Sequence, residues 1–422
     1  MPASPQLTIH RAADEIGGNC IEIAFDGHRV LLDAGSPLAA PEGVDPGRAF
    51  PATLGVTKAP DAVVISHPHQ DHFGLLRGLP LDWPVWSGAA AEILMRLTAS
   101  VAGEMLGQRF STFRSGVPFH VGPFTITPYL TDHSAFDAHM LLVEVGGRRI
   151  LYTGDFRRLG RKAALVDRFM ASPPADVDLL LMEGTTLGRA EAFPTEDELE
   201  ERFVDLFRAT PGRVFVTWSA QNIDRTVTIY RSCKRSGRRL VLDLYTVDVL
   251  ERLSALRDSL PRLGWAGISV VITASMARMY RSTRRVNHPE FVDRCAASGH
   301  ALGAAALRSA RDSVVMLRPS LFRDFSAKGM LPTRDDTWVF SMWSGYRDRP
   351  EYGPVRAAFS AAGARIEHIH TSGHASRDDL VAFAGRVAPR HLVPIHSFTW
   401  DQHLDGFSNV LRLRDGEAHA LV

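Results

Sequence analysis

One apolar run that ends in a knot of metal-ligand residues constrains this chain more than any other feature. Val63, Val64 and Ile65 are strong β-formers that read as a buried strand. The strand runs into His67, His69, Asp71 and His72, three histidines and one aspartate within six residues. In extended chain, residues two apart share a face, so His67 and His69 can point at one spot. Asp71 and His72 follow in a turn and can face a second spot close by. Imidazole nitrogens and carboxylate oxygens are donors that Zn²⁺ takes, with Mn²⁺ a weaker fit. A histidine-rich surface loop is the alternative, and the apolar strand leading into the cluster argues against it.

The same pattern, a strand that ends on one acidic residue or histidine, recurs along the first 190 residues. Cys20–Phe25 and His28–Leu32 read as a hairpin around Asp26-Gly27, a favoured turn pair, and the second strand delivers Asp33. Asp33 can orient a metal-binding histidine, or simply serve the turn. A short strand at Trp83–Trp86 precedes a helix from about Ala89 to Leu106, with Ile93, Leu94, Leu97, Val101 and Met105 near helical spacing. Phe124–Leu130 delivers His133, the strand ending at Tyr152 delivers Asp155, and Leu179–Met182 delivers Glu183. Singly, His133 or Asp155 says little; their shared position after strands puts them on one rim.

Between about 191 and 350 the pattern changes to alternating helix and strand. Thr195 and Glu198 form a capping-box signature, and Val214–Trp218, Leu240–Leu244 and Ile268–Ile272 are strands separated by helical stretches. Units of this kind build a parallel sheet, read here as a separate, inserted domain. Two basic runs lie in it, from Arg231 to Arg239 and from Arg278 to Arg285. The second interleaves Tyr280 with arginines, as a nucleic-acid contact would, although a solvated helix face accounts for either run. In the tail, Arg365–Ile369 reads as a strand leading to His370 and His374. Ser376 is placed to cap the next helix with Asp379 three residues on, and His391–Ile395 delivers His396. That repeat of the strand-then-ligand pattern returns the tail, 351–422, to the sheet of residues 1–190.

Composition excludes several classes. Formal net charge is +1, from 48 basic and 47 acidic residues over 422, so a nucleic-acid partner has to be met by a local patch. Cys20, Cys233 and Cys295 form no CxxC pair and no disulfide framework, which suits a reducing cytoplasm. The N-terminus carries no basic-then-apolar signal segment, and no apolar run approaches the roughly 20 residues that span a bilayer.

The set His67, His69, Asp71, His72, His133, Asp155 and His396 resembles the ligand set of the metallo-β-lactamase fold, an αββα sandwich. Glu183, His374 and His396 in their local contexts resemble the three additional motifs of the β-CASP nucleases, whose inserted domain is a Rossmann-like parallel sheet. Ser219 to Arg225, and Asp14 to Asn19, are similar to signatures of the RNase J branch. The resemblance spans nearly the whole chain. It implies that His67, His69 and His133 bind one zinc, that Asp71, His72 and His396 bind the other, and that Asp155 bridges them. It also implies phosphodiester hydrolysis by a two-zinc-activated hydroxide, with Mn²⁺ able to take the same ligands. His374 would protonate the leaving oxygen, Glu183 would orient it, and Asp33 would support the ligands. Ser219, Asn222, Arg225, Ser372, Gly373 and Ala375 would contact substrate.

A histidine at the position of His396 goes with RNA in this family, whereas DNA-repair members tend to carry valine. RNase J enzymes have a further C-terminal domain and a glycine where this chain has Ser397, and the length is nearer the compact β-CASP endonucleases. Exo- and endonucleolytic modes therefore both stay open. The expected protein is a cytoplasmic ribonuclease acting on single-stranded RNA, without a membrane segment, and a homodimer is compatible with this. A small-molecule ester or lactone hydrolase on the same fold and a DNA-directed β-CASP nuclease are the alternatives, and an RNA-binding scaffold without chemistry is a third.

Overall fold

The computed structural model describes residues 4–40, 42–189 and 192–421. The chain divides into two compact units: Met1–Ala99, Met105–Phe193 and Gly373–Val422 form the first, and Ser100–Glu104 with Pro194–Ser372 form the second.

Two sheets build the first unit. One runs, in spatial order, Ala418–Ala420, Gln6–Arg11, Cys20–Phe25, His28–Leu32, Ala62–Val64, Val85–Gly88, Phe110–Phe113. The other runs His391–Pro394, Leu179–Met182, Arg148–Tyr152, His139–Val145, Phe124–Leu130, Phe119–Val121. The hairpins close as their turn residues dictate. Phe25 pairs with His28 across Asp26 (φ 50°) and Gly27 (φ 80°), left-handed at both central positions as a type I′ turn requires. Gly146 and Gly147, also left-handed, turn the second sheet in the same way.

The sheets face each other over one core, in which Ile21, Ile23, Val30 and Val64 meet Ile126, Val143, Ile150, Leu181 and Val393. The outer face of each sheet is covered in turn. Leu31, Val63 and Val85 pack with Ala91 and Met95 of the helix Ala89–Ala102. Leu151, Leu180 and Leu392 pack with Val166 of the helix Ala163–Ala171 and with Leu380 and Phe383 of Arg377–Val387. Strands covered on both faces read as unbroken apolar runs rather than alternating ones, which is why Val63–Ile65 and Leu179–Met182 look as they do. This is the αββα sandwich that the resemblance implied. The helix expected to reach Leu106 stops at Ala102.

The second unit holds a parallel sheet in the order Ala301–Leu302, Ile268–Val271, Arg239–Asp243, Ser313–Met316, Val214–Thr217, Thr337–Phe340, Arg365–His368. Every position of Val214–Thr217 and Thr337–Phe340 is buried, so both faces of the sheet are covered. The capping box forms as the spacing predicts: Thr195 accepts from the Glu198 N–H, and Glu198 accepts from the Thr195 N–H.

One expected boundary moves. Arg365–His368 pairs in parallel with Thr337–Phe340, so that strand belongs to the inserted sheet, and the chain re-enters the first unit at Gly373 rather than at 351. The expected junction at 190/191 lies outside the described residues.

Because Leu181 sits fully buried between the two sheets, Leu181→Ala should destabilise the protein by about 2–5 kcal/mol, seen as a lower denaturation midpoint. Met105→Ala, at a site 85% exposed, should change stability by no more than about 0.5 kcal/mol.

Candidate metal centre

The strands His28–Leu32 and Ala62–Val64 run parallel, as do Arg148–Tyr152, Leu179–Met182 and His391–Pro394. Their C-terminal ends therefore leave each sheet at the same rim, delivering Asp33 and His67 from one and Asp155, Glu183 and His396 from the other. His69 ends the extended stretch after His67 and precedes the short helix Gln70–Phe73, which carries Asp71 and His72. Two backbone features allow the crowding. Gly154 takes φ 52°, and a Cβ there would meet Ser66 at 3.1 Å. A Cβ on Gly35 would fall on the Asp71 carbonyl. Asp33 (φ 61°) and His396 (φ 53°) hold left-handed conformations, uncommon for non-glycine residues though best tolerated by types such as Asp and His.

Three groups of ligand-type side chains gather here: His67 with His69 and His133; Asp71 with His72, Asp155 and His396; and Asp155 with Glu183 and His374. Asp155 is central. Its Oδ2 lies 3.2 Å from His72 Nε2, 3.7 Å from both His67 Nε2 and His396 Nε2, and 4.0 Å from His133 Nε2. His133 Nε2 and His69 Nδ1 are 3.1 Å apart. Nitrogens bound at 2.0–2.1 Å to one tetrahedral ion stand roughly 3.3 Å apart, so the pair has the spacing of neighbouring ligands.

The outer nitrogens of these rings are occupied, which decides what the inner ones offer. His72 Nδ1 donates to Asp33 Oδ2 at 2.7 Å. The Ser66 hydroxyl donates to Asp33 Oδ2 at 2.7 Å, so it accepts from His67 Nδ1 at 3.0 Å. His133 Nδ1 donates to the Gly373 carbonyl at 2.5 Å, and His396 Nδ1 meets Asn19 Oδ1 at 2.5 Å. Each ring then turns an Nε2 lone pair inward. The Nε2 atoms of His67, His72 and His396 and the Oδ1 of Asp155 are buried and have no hydrogen-bond partner among the described residues. Buried polar atoms are rarely left so, and several converging on one spot fit a divalent metal ion.

The electrostatics of the His67–His69–His133 group agree with ligand duty; at His72 burial opposes charge, but Asp155 and Asp33 outweigh it and raise the ring well above the usual histidine range. Burial, together with the neighbouring imidazoles of His72 and His133, pushes His67 well below the usual histidine range. Burial likewise takes His69 down to about 4 and His133 well down. All three are neutral at pH 7, the form that ligates metal. Burial opposes charge on Asp155, but His396, His72 and His374 more than offset it and hold the carboxyl well below its usual range.

Beside the cluster, His374 Nδ1 lies 2.8 Å from Glu183 Oε2, and Glu183 Oε1 accepts from the Phe156 N–H at 2.9 Å. Burial works against a charged His374, yet Glu183 and then Asp155 outweigh it and raise the ring to about 9. Its side chain is 22% exposed, against 0% for His67, His72 and His396, so it alone among these faces outward.

Comparison with known proteins accords with this geometry. Residues 13–176 match the metallo-beta-lactamase superfamily, and residues 363–399 match the Zn-dependent metallo-hydrolase RNA specificity domain. Ribonuclease J of Mycobacterium tuberculosis is 27% identical over 414 residues, covering 94% of this chain and 69% of that protein. Ribonuclease J of Sinorhizobium meliloti is 24% identical, covering 93% and 69%. The chain carries a metallo-beta-lactamase domain and an RNA-specificity segment of the Zn-dependent metallo-hydrolases, and it resembles these ribonucleases J along nearly its whole length. A crystal structure of a protein of unknown function from Enterococcus faecalis shares the fold over 99% of this chain and 100% of its own, with a TM-score of 0.77 at 19% identity.

Outside the cluster, the residues that resemblance assigned to substrate fare differently. Arg225 is fully buried in the second unit, its guanidinium taken up by Glu196 at 2.9 and 3.2 Å and by the Ser341 carbonyl at 2.9 Å. Asn222 caps the helix Ile223–Ser236 through the Arg225 N–H, and Ser219 is exposed. Gly373 supports His133, and a Cβ there would meet Ser134 at 2.6 Å. Ala375 is buried with its carbonyl accepting from the Thr186 hydroxyl, and Ser372 is buried at the end of the second unit. Sequence reasoning missed Ser66 and Tyr152, and it met Asn19 only as part of a signature. The serine between strand and first ligand was the available signal; a tyrosine closing a strand gives none.

Stripping divalent metal with a chelator should lower the melting temperature, and returning Zn²⁺ or Mn²⁺ should restore it. An ion supplied at 100 times its dissociation constant adds about 2.7 kcal/mol. In Asp155→Ala, the same addition should raise the melting temperature much less.

Proposed function

We propose that the protein is a two-metal ribonuclease that hydrolyses phosphodiester bonds of single-stranded RNA. The observation that carries this reading is the meeting of two ligand groups at Asp155, with the His374–Glu183 pair alongside. His67, His69 and His133 would hold one ion, and Asp71, His72 and His396 the other, with Asp155 available to both. Zinc suits the all-imidazole group best, and Mn²⁺ is compatible with the carboxylate-containing one. Bound there, the ions supply Lewis acidity to the phosphate and an activated water at neutral pH.

The protein's own groups do the rest. Glu183, fixed by the Phe156 N–H, turns its second oxygen to His374 Nδ1, so the proton available for transfer is the one on Nε2. His374 passes that proton to the leaving ribose oxygen. The partly exposed ring stands where a substrate can reach it. The named Ribonuclease J relatives and the RNA specificity domain over 363–399 support RNA as the substrate. Exposed Ser219 is the candidate contact in the second unit.

The test is cleavage of 5′-labelled single-stranded RNA in 5′-monophosphate and 5′-hydroxyl forms, with matched DNA and a His69→Ala/Asp71→Ala protein. Metal-dependent cleavage of RNA, lost in the double variant by at least about 100-fold, is expected. Mononucleotide from the 5′-monophosphate RNA alone marks exonucleolytic action; internal fragments from both mark endonucleolytic action. Hydrolysis of a chromogenic ester with no cleavage of any nucleic acid sinks the proposal.

A pH profile tests the acid. His374 works protonated, so activity is present below its pKa and lost above it. Glu183 is the largest influence raising that pKa and stays beside the ring when metal ions take up Asp155. Glu183→Gln should therefore move the alkaline limb of the rate profile to lower pH. An unmoved limb would reject His374 as the acid.

A further inference from the structure

Asn19 lies in the stretch Asp14 to Asn19, which neither ligates metal nor reaches His374 in the account above, yet it is fully buried beside the cluster. Its contacts lead to three members of one ligand group: Asp71 and His396 directly, and His72 through Tyr152 and Asp33. The Asn19 N–H donates to the Asp71 carbonyl at 3.0 Å, and the Gly35 N–H returns to the Asn19 carbonyl at 2.8 Å. Its side-chain Oδ1 meets His396 Nδ1 at 2.5 Å, and its Nδ2 donates to Tyr152 Oη at 2.9 Å. Tyr152 Oη donates to Asp33 Oδ2 at 2.5 Å, the oxygen that also accepts from His72 Nδ1. Gly17, two residues before Asn19, approaches Asp71 so closely that a Cβ would meet its side chain at 3.1 Å.

The direction of this relay is forced. A carboxylate only accepts, so Tyr152 must give its single proton to Asp33. The Tyr152 oxygen can then only accept from Asn19, which must present its NH₂ group there. Asn19 Oδ1 is left to face His396, and His396 must carry its proton on Nδ1. The Gly17 N–H lies 3.3 Å from the same Nδ1, but the amide orientation makes that atom a donor and leaves the longer contact without a bond. The lone pair of His396 is thereby fixed on Nε2, 3.9 Å from Asp71 Oδ2 and 3.7 Å from Asp155 Oδ2. His67, His69 and His133 receive nothing directly from Asn19; Ser66 and the Gly373 carbonyl hold two of them.

We propose that Asn19 is the positioning residue of the second ion, setting the tautomer of His396 and the placement of Asp71 and His72 while leaving the His67–His69–His133 site in place. The proposal rests on the two-ion reading above. Its consequence is that the two ions can be uncoupled by a residue that touches neither. Partners behind a metal ligand typically contribute 10–100-fold in metal affinity.

The experiment is titration of the metal-free full chain with Zn²⁺, followed by calorimetry and by metal content after dialysis, for wild type, Asn19→Leu and Tyr152→Phe. Circular dichroism checks folding. Wild type should take two ions. Asn19→Leu should keep one ion at wild-type affinity and bind the other about 10–100-fold more weakly. Tyr152→Phe, which keeps the Asn19 contact to His396 but cuts the link to Asp33, should weaken the same ion by less. Tyr152→Phe decides the matter should Asn19→Leu not fold. Two ions at unchanged affinity in the variants, or loss of both together from a folded chain, would overturn the role of Asn19 alone. A wild type that takes fewer than two ions would overturn the two-ion reading and this proposal with it.

Discussion

The buried carboxylate of Asp33 is the constraint on which the rest of the centre depends. A charge with no exposed surface costs several kcal/mol unless it is fully hydrogen-bonded. Asp33 meets that cost with four donors: the Ser66 N–H, the Ser66 hydroxyl, His72 Nδ1 and the Tyr152 hydroxyl. Because it can only accept, it dictates the proton position on every partner, and through them on the next group out. Its left-handed backbone turns the chain at the end of His28–Leu32 so that the carboxylate lies under the cluster instead of continuing the strand. An uncharged residue of similar size would keep the turn but lose the polarity that sets His72 directly, His67 through Ser66, and His396 through Tyr152 and Asn19.

The two sheets make such a hub reachable from both sides. Parallel pairing in the centre of each sheet sends successive strand ends to one rim, so residues hundreds of positions apart arrive together without long loops. Ligands carried at strand ends are held by the core behind them. Ile395 packs in the shared interior immediately before His396, and Tyr152 does so three residues before Asp155. The same strand thus seals the core with one residue and supplies the centre with another, which couples folding of the sandwich to assembly of the site.

The ligands were legible in the sequence because both halves of their signature are local: a short apolar run, then a metal-binding side chain. Asp33, His67, His133, Asp155, Glu183 and His396 all follow that grammar, and the structure gathers them. What was illegible depends on pairing at long range. Arg365–His368 reads as a strand wherever it goes, and only its register with Thr337–Phe340 assigns it to the second sheet unit. Arg225, three residues past a helix cap, looks like a surface arginine. Its burial against Glu196 and Ser341 depends on partners 29 and 116 positions away. Tyr152 closes an apolar strand and reads as core, which it is; that its hydroxyl also donates to Asp33 depends on a residue 119 positions away.

The two ligand groups differ in chemistry as well as in support. One is three imidazoles, each kept neutral by burial, a soft and nearly uncharged set that favours Zn²⁺. The other adds two carboxylates to two imidazoles and is harder and more anionic, tolerating Mn²⁺. Their anchors are separate in part: Gly373 serves the first, Asn19 serves the second, and Asp33 reaches both through Ser66 and His72. In the proposed two-ion reading, Asp155 would be shared between two positions whose supports overlap at Asp33. The outward-facing His374 is coupled to this centre as well as to Glu183: both Glu183 and Asp155 raise it, and it in turn helps hold Asp155 low, while the Glu183 carboxylate is itself anchored on the Phe156 N–H.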